Sequence, residues 1–455
     1  MRSDLHPRIS ATHIDMNYNV MMVSLGCSKN RVDAEEMLGV LKSRGHSVVS
    51  DPNNADIVII NTCGFIESAK QESIDETLSY ARLKEEGKLK YIIMTGCLAQ
   101  RYAKELEAEL PEVDAFVGVT AFDAIADVVD ALGADNKQYM RDINDPCFLG
   151  LPRVTEDSSV YAYLKIAEGC DNRCSYCAIP YIRGNFRSKP LSSLIDEAKE
   201  LASRGKKEII VIAQDITRYG QDLEGNVNLG TLLDELSLID GIEWIRLMYL
   251  NPARVSHEFI DKVADNKKVL PYFDIPVQHI NTELLQSMNR EAGSEKIYDV
   301  FGYIKEKMPN ACLRTTFITG FPGETDEQHR EVLEFIKKNP IDNLGVFTFS
   351  EEEGTPAVEM ENKVPADVAQ KRADRIMTLQ KRLLASRLRA RRGEEIDVII
   401  EGKKKGSGYY GRSYRDAPDI DGTVWVNTSK TLNVSDIVKV KITHTYDYDS
   451  EGELL

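Results

Sequence analysis

Residues 160–177 read VYAYLKIAEGCDNRCSYC, an apolar run that ends at Glu168 and Gly169 and passes directly into Cys170, Cys174 and Cys177, spaced CxxxCxxC. The run has the length and composition of a strand, and the thiols fall in the tight loop that follows it. Further strands of this kind are EIIVIAQD (208–215), EWIRLMYL (243–250), LPYFDIPVQH (270–279), ACLRTTFITG (311–320) and NLGVFTFS (343–350). Helical segments such as PLSSLIDEAKELASRG (190–205) accompany them. Six βα units in about 200 residues imply a partial barrel, open where an eight-fold barrel closes.

Upstream, NVMMVSLGC (19–27), ADIVIINTC (55–63) and YIIMTGC (91–97) alternate with helical stretches such as RVDAEEMLGVLKSRG (31–45). That alternation is the pattern of a parallel sheet wrapped by helices. Residues 365–392 have helical periodicity and many cations, which reads as a long connecting helix with a solvated charged face. Beyond them EIDVIIEG, KGSGYYGRSY, GTVWVN and DIVKVKITHTY are short alternating strands separated by Gly and Asp, as in a small antiparallel barrel. The expected fold is therefore α/β and multi-domain. A parallel α/β sheet domain spans 18–140, a polar, Pro-containing linker 141–158, a partial (βα)6 barrel with its connecting helix 159–390, and a small antiparallel β-barrel 391–455.

The length of 455 residues exceeds what one ordinary core accommodates. A hydrophobic content of 42% with 29% charged residues is that of a soluble globular chain, and no run of about 18 apolar residues is present to span a bilayer. The opening MRSDLHPRISATHIDMN lacks the apolar stretch of a secretory signal, so the expected location is the cytoplasm, where thiols stay reduced. A net charge of −16 repels polyanions in bulk and suits a basic partner.

Three thiolates in one tight loop can hold an iron–sulfur cluster and leave its fourth iron without a protein ligand, open for the amino and carboxylate groups of S-adenosylmethionine (SAM). The competing reading is a zinc loop, but structural zinc takes four ligands and no paired CxxC or HxxxH follows nearby. Tyr176 stands where its ring can lie against adenine, or simply pack the loop. A second trio, Cys27, Cys63 and Cys97, is dispersed in sequence, yet each thiol ends a strand and neighbours a glycine, Gly26, Gly64 or Gly96. Carboxyl ends of parallel strands share one edge, so the trio can converge on a second cluster, the glycines letting the backbone pass close to it. Cys147 and Cys312 are assigned no role.

With these residues in view, the chain resembles the radical SAM methylthiotransferases over about residues 19–450. VSLGCSKNRVDAE, EGCDNRCSYCAIPYIRGNFRSKP, VIAQDITRYG, YFDIPVQHI, RTTFITGFPGET and GRSYRDAPDIDG look like the RimO branch, which methylthiolates an aspartate of small-subunit ribosomal protein twelve. The resemblance implies two 4Fe-4S clusters, SAM, an electron donor such as flavodoxin or ferredoxin, and a TRAM-like C-terminal barrel. It also implies that the cluster at Cys170, Cys174 and Cys177 reduces SAM to a 5′-deoxyadenosyl radical, while the cluster at Cys27, Cys63 and Cys97 carries the sulfur. The rival branch methylthiolates a tRNA adenosine beside the anticodon and shares both trios. Residues 391–455 hold 10 Lys+Arg against 12 Asp+Glu, and a tRNA clamp should be basic; Lys403 to Lys405 and the connecting helix are the compact cationic candidates. The ribosomal protein is therefore expected as substrate, and tRNA is not.

Gln214 and Asp215 end the second barrel strand, where SAM's polar groups can be received; Asp215 can equally cap a helix. Gln278 and His279 end a later strand and can hydrogen-bond SAM or substrate, although a lone His is more often structural. Gly320 and Gly323 allow the backbone to approach a ligand or form a tight turn. Anaerobically reconstituted protein is expected to hold about eight irons, four for each trio. Replacing Cys170, Cys174 and Cys177 by Ala should halve that content; full iron in the triple variant would refute the motif assignment.

Overall fold

Ile57–Thr62 is buried at every position, as a strand covered on both faces must be. Ile57 and Ile59 pack with Met37 and Leu41 on one side, while Val58 and Ile60 pack with Tyr80, Leu98 and Leu106 on the other. The strand is β3 of a computed structural model that describes residues 17–146, 150–155, 158–404, 406 and 408–455. Cys147, Lys405 and nearly all of the N-terminal stretch quoted above lie outside the described residues. The chain packs as two compact units, 1–64 with 68–154, and 65–67 with 155–455.

In the first unit β1 (Asn19–Ser24), β2 (Ser47–Val48), β3, β4 (Tyr91–Gly96), β5 (Ala115–Val117) and β6 (Gln138–Tyr139) form one parallel sheet, ordered β2-β1-β3-β4-β5-β6. Helices α1 (Ser28–Ser43), α2 (Glu67–Glu85), α3 (Cys97–Glu109) and α4 (Ile125–Asp130) cover it. After β6 the chain returns across α1. The Val154 amide donates to Glu35 O at 2.9 Å, and a side chain at Gly39 would meet the Pro152 carbonyl at 1.9 Å.

The second unit begins with β7 (Tyr161–Lys165), β8 (Ala167–Glu168), α5 (Ile179–Arg183), β9 (Arg187–Ser188) and α6 (Leu191–Ser203). It continues through β10 (Glu208–Ile212), α7 (Leu229–Ser237), β11 (Trp244–Leu247), α8 (His257–Asp265), β12 (Val269–Asp274), α9 (Thr282–Ser287) and α10 (Ser294–Lys307). Then follow β13 (Cys312–Thr319), α11 (Asp326–Lys338), β14 (Asn343–Thr348) and α12 (Ala366–Ala390). The six expected strands form a parallel sheet ordered β7-β10-β11-β12-β13-β14, whose outer strands do not pair with each other. A partial barrel results.

The connecting helix α12 has the expected solvated charged face, with Lys371, Arg375, Lys381, Arg382 and Arg389 exposed, and a buried face opposite it. It buries Ala369, Arg372, Ile376, Gln380 and Leu384. Arg372 pairs with Glu324 at 2.9 Å, and Gln380 and Arg387 donate to the Ile341 carbonyl. Its cations are thus partly spent in satisfying the barrel.

The C-terminal part is a closed barrel of β15 (Glu395–Lys403), β16 (Tyr409–Ser413), β17 (Val424–Asn427), β18 (Ile437–Thr445) and β19 (Ser450–Leu454). It is not wholly antiparallel, because β19 pairs parallel with β17 while closing against β18. The two barrels of this unit are latched by buried ions. Glu208 opens β10 and receives Arg246 at 2.6 Å and Arg412 at 2.6 Å, while Arg246 also donates to the Ser413 and Tyr414 carbonyls. Burial alone would raise the Glu208 carboxyl, but the two guanidinium groups outweigh it and hold the carboxyl low. Glu208→Ala leaves buried Arg246 without a carboxylate and Arg412 with Glu401 alone at 2.8 Å, and is expected to cost about 3–5 kcal/mol, read as a lower denaturation midpoint. Wild-type stability in that variant would contradict the latch.

Candidate functional site

The ends of β1, β3 and β4 lie level, since Ser24 pairs with Asn61 and Thr62 with Gly96. Cys27 is the N-cap of α1, Cys63 follows β3, and Cys97 opens α3. Two of the thiols therefore sit at helix N-termini, where negative charge is favoured. Cys63 is fixed by Ser73, whose hydroxyl accepts from its amide at 3.1 Å and donates to its carbonyl at 3.2 Å.

Asn30 joins the three loops, and no sequence pattern pointed to it. Its amide donates to Leu25 O at 3.1 Å and Thr62 O at 3.0 Å, and its side-chain oxygen lies 3.8 Å from Cys97 Sγ. Its own carbonyl accepts from Asn61 Nδ2 at 2.7 Å. The expected glycines serve this convergence too. A Cβ at Gly26 would lie 2.9 Å from Cys63 Cβ, and one at Gly96, where φ is +93°, would meet the Thr62 carbonyl at 2.5 Å. Their room is taken by neighbouring loops.

In the barrel, Cys170 and Cys174 are each 8% exposed and Cys177 is half-buried. Gly169 has φ +73°, and a Cβ there would meet Asn185 O at 2.0 Å, so glycine is required for the chain to enter the loop. The loop is pinned by the Cys170 amide on Gly184 O at 3.1 Å, Asn172 on Asp215 at 2.8 Å, and Ser175 on Ser287 O at 2.9 Å. Burial pushes the Cys170 thiol up to about 11 and the Cys177 thiol higher still. Cluster assembly must therefore displace protons from these sulfurs.

Glu168, fully buried, anchors the approach to Cys170. It receives Lys165 at 3.0 Å and Arg183 at 3.1 Å. Burial acts to raise its carboxyl, but Arg183 and Lys165 prevail and hold it well below the ordinary range. Gln214 Nε2 donates to the same carboxylate at 2.9 Å, while its amide oxygen is buried without a hydrogen-bond partner. Such an atom suits a donor-bearing ligand, and SAM carries an ammonium group.

Asp215 caps the short turn at Ile216–Arg218 and accepts from Asn172, Asn251 at 3.2 Å and Arg254 at 3.2 Å, which ties the cluster loop to the strand end. Tyr176 packs partly buried against the barrel core. Gln278 adopts φ +70° at the barrel mouth, a conformation costing a non-glycine residue about 1–3 kcal/mol. His279 is wholly buried, accepts from the Asn281 amide at 3.0 Å and faces Glu324 at 3.6 Å, a structural setting. Gly320 has φ +77° and lies against Ala369 of α12, which a Cβ would meet at 2.3 Å; Gly323 has φ +84° and donates to Asn362 O. These two glycines serve turn and helix packing.

Among the described residues no three Cys, His, Asp or Glu side chains form a ready site for one metal ion. Each trio supplies the three thiolates that a four-iron cube takes at three of its corners. No helix among the described residues is long and apolar enough to cross a membrane. Asn30→Ala is expected to lower the iron content of reconstituted protein by about half with the barrel cluster retained. Full iron in that variant would deny Asn30 its positioning role.

Residues 19–118 match the family described as uncharacterized protein family UPF0004, residues 164–336 the radical SAM superfamily, and residues 393–455 the TRAM domain. The fold resembles that of a radical S-adenosylmethionine methyltransferase, TsrM, from Kitasatospora setae, solved with cobalamin and a 4Fe-4S cluster bound. The TM-score is 0.57 at 15% identity, over 75% of this chain and 77% of that one. The ribosomal protein uS12 methylthiotransferase RimO of Thermoanaerobacter sp. is 45% identical over 439 residues, 96% of this chain and 99% of the relative. The protein of the same name from Geobacter sulfurreducens is 46% identical over 441 residues, 96% and 98% of the two chains. The chain belongs to the family of the RimO methylthiotransferases.

Proposed function

We propose that this chain adds a methylthio group to the β-carbon of an aspartate in ribosomal protein uS12, using SAM and two 4Fe-4S clusters. The observation that carries the reading is the pair of cysteine trios, each following strands of its own parallel sheet, in a chain that matches a uS12 methylthiotransferase over 96% of its length. An aspartate Cβ–H has no acidity that a base can use at neutral pH, so its functionalisation calls for radical chemistry. The bound cluster of the barrel and SAM would supply that chemistry.

The chain's own residues bind and orient. Cys170, Cys174 and Cys177 would hold one cluster, and Cys27, Cys63 and Cys97 the second, sulfur-carrying one. Gln214 offers its unpartnered amide oxygen to SAM, and Gln278, whose backbone is held at φ +70° just after β12, is a second candidate contact. Asp215 and Glu168 act at one remove, holding the loop and Gln214 in place. A low-potential carrier such as flavodoxin or ferredoxin would deliver the electron. The C-terminal barrel carries 12 acidic against 10 basic residues, which suits a basic ribosomal protein better than a polyanion.

With SAM, reductant and sulfide, purified protein is expected to increase the mass of uS12 by a methylthio group at an aspartate and to leave anticodon adenosines unchanged. Replacing Cys27, Cys63 and Cys97 by Ala should abolish that product while 5′-deoxyadenosine still forms. A methylthiolated tRNA with unmodified uS12 would overturn the substrate, and undiminished product from the triple variant would overturn the role of the N-terminal trio.

A further inference from the structure

Several arginines surround the cluster loop; Arg173, within the loop, donates to Asn185, and three others pair with carboxylates. Arg183 pairs with Glu168, and Arg218 and Arg254 both reach Asp215 and Glu291. Arg290 pairs with none among the described residues. Its guanidinium is turned inward, with Nη2 donating to the Pro276 carbonyl at 2.8 Å and Nη1 lying 3.9 Å from Cys174 Sγ. The carbonyl fixes one edge of the planar group, which leaves the other edge aimed at sulfur.

A guanidinium keeps its charge under all ordinary conditions, and holding such a charge half-buried, as Arg290 is, is unfavourable unless an anion answers it. The anion in reach is the sulfur of a residue placed as a cluster ligand. An iron–sulfur cube bound by three thiolates is a net anion, and reduction makes it more negative. Hydrogen bonds and positive charge at cluster sulfur therefore favour the reduced form.

We propose that Arg290 is the counter-cation of the barrel cluster, donating an N–H···S hydrogen bond to Cys174 and raising the cluster's reduction potential, so that a cellular donor can reduce it. It is a positioning and tuning residue and does not touch the reacting atoms. The inference rests on the cluster assignment to Cys170, Cys174 and Cys177, whose failure would show separately as unchanged iron when those three are replaced.

The test is a redox titration followed by electron paramagnetic resonance, made on full-length protein carrying Cys27, Cys63 and Cys97→Ala so that one cluster reports. Arg290→Gln keeps a donor amide but removes the charge. It is expected to lower the reduced-to-oxidised ratio at fixed potential at least tenfold, about 59 mV for a one-electron couple. Arg290→Lys, which keeps the charge, should stay closer to the parent. An unshifted potential in Arg290→Gln with full iron overturns the proposal. If Arg290→Gln fails to hold iron while Arg290→Lys does, the charge is needed to retain the cluster and the proposal stands. Loss of iron from both variants overturns it in favour of a shape requirement.

Discussion

Parallel pairing places every carboxyl end of a sheet along one edge, and the dispersed trio of Cys27, Cys63 and Cys97 depends on that constraint. In the N-terminal unit three neighbouring strands end level, so thiols separated by more than thirty residues in sequence are brought to one rim. Cys27 and Cys97 then open the helices that follow, which adds favourable potential to sulfur. In the barrel unit one strand suffices, because CxxxCxxC supplies all three thiols from a single loop. The task there passes from bringing sulfurs together to holding one loop still, and the surrounding polar groups serve it.

Those groups form a connected frame. Glu168 is clamped by Lys165 and Arg183 and passes its orientation to Gln214, while Asp215 holds Asn172 of the cluster loop and is itself held by Asn251 and Arg254. Removing one member of such a network leaves charge stranded in a low-dielectric interior, so its geometry has few alternatives. Ions at the far end of the barrel do comparable work: Glu208 is shared by Arg246 of its own sheet and Arg412 of the small barrel.

Much of the fold was legible because apolar runs such as EIIVI and WIRL stop at turn signals and sit between amphipathic helices. β19 was not, since SEGEL carries one apolar residue and becomes a strand only by pairing with β17 and β18. The charged face of the cationic helix was legible, but periodicity does not reveal that Arg372 and Arg387 leave it to meet barrel acceptors. Among the site residues the cysteines announced themselves by spacing and strand position. Asn30 and Arg290 did not, because their partners are remote in sequence: Asn30 reaches Cys97 across 67 residues and Arg290 reaches Cys174 across 116. Asp215, Gly320 and Gly323 were placed at the right strand ends, yet only contacts reveal that Asp215 caps a turn and Gly320 makes room for Ala369.

The central claim is that one chain holds two separate four-iron cubes on these two trios. Anomalous diffraction at the iron edge from crystals of the reconstituted protein tests it most directly. Two discrete iron centres are expected, one bonded to the sulfurs of Cys27, Cys63 and Cys97 and the other to those of Cys170, Cys174 and Cys177. A single centre, or iron bonded to other residues, would contradict the account.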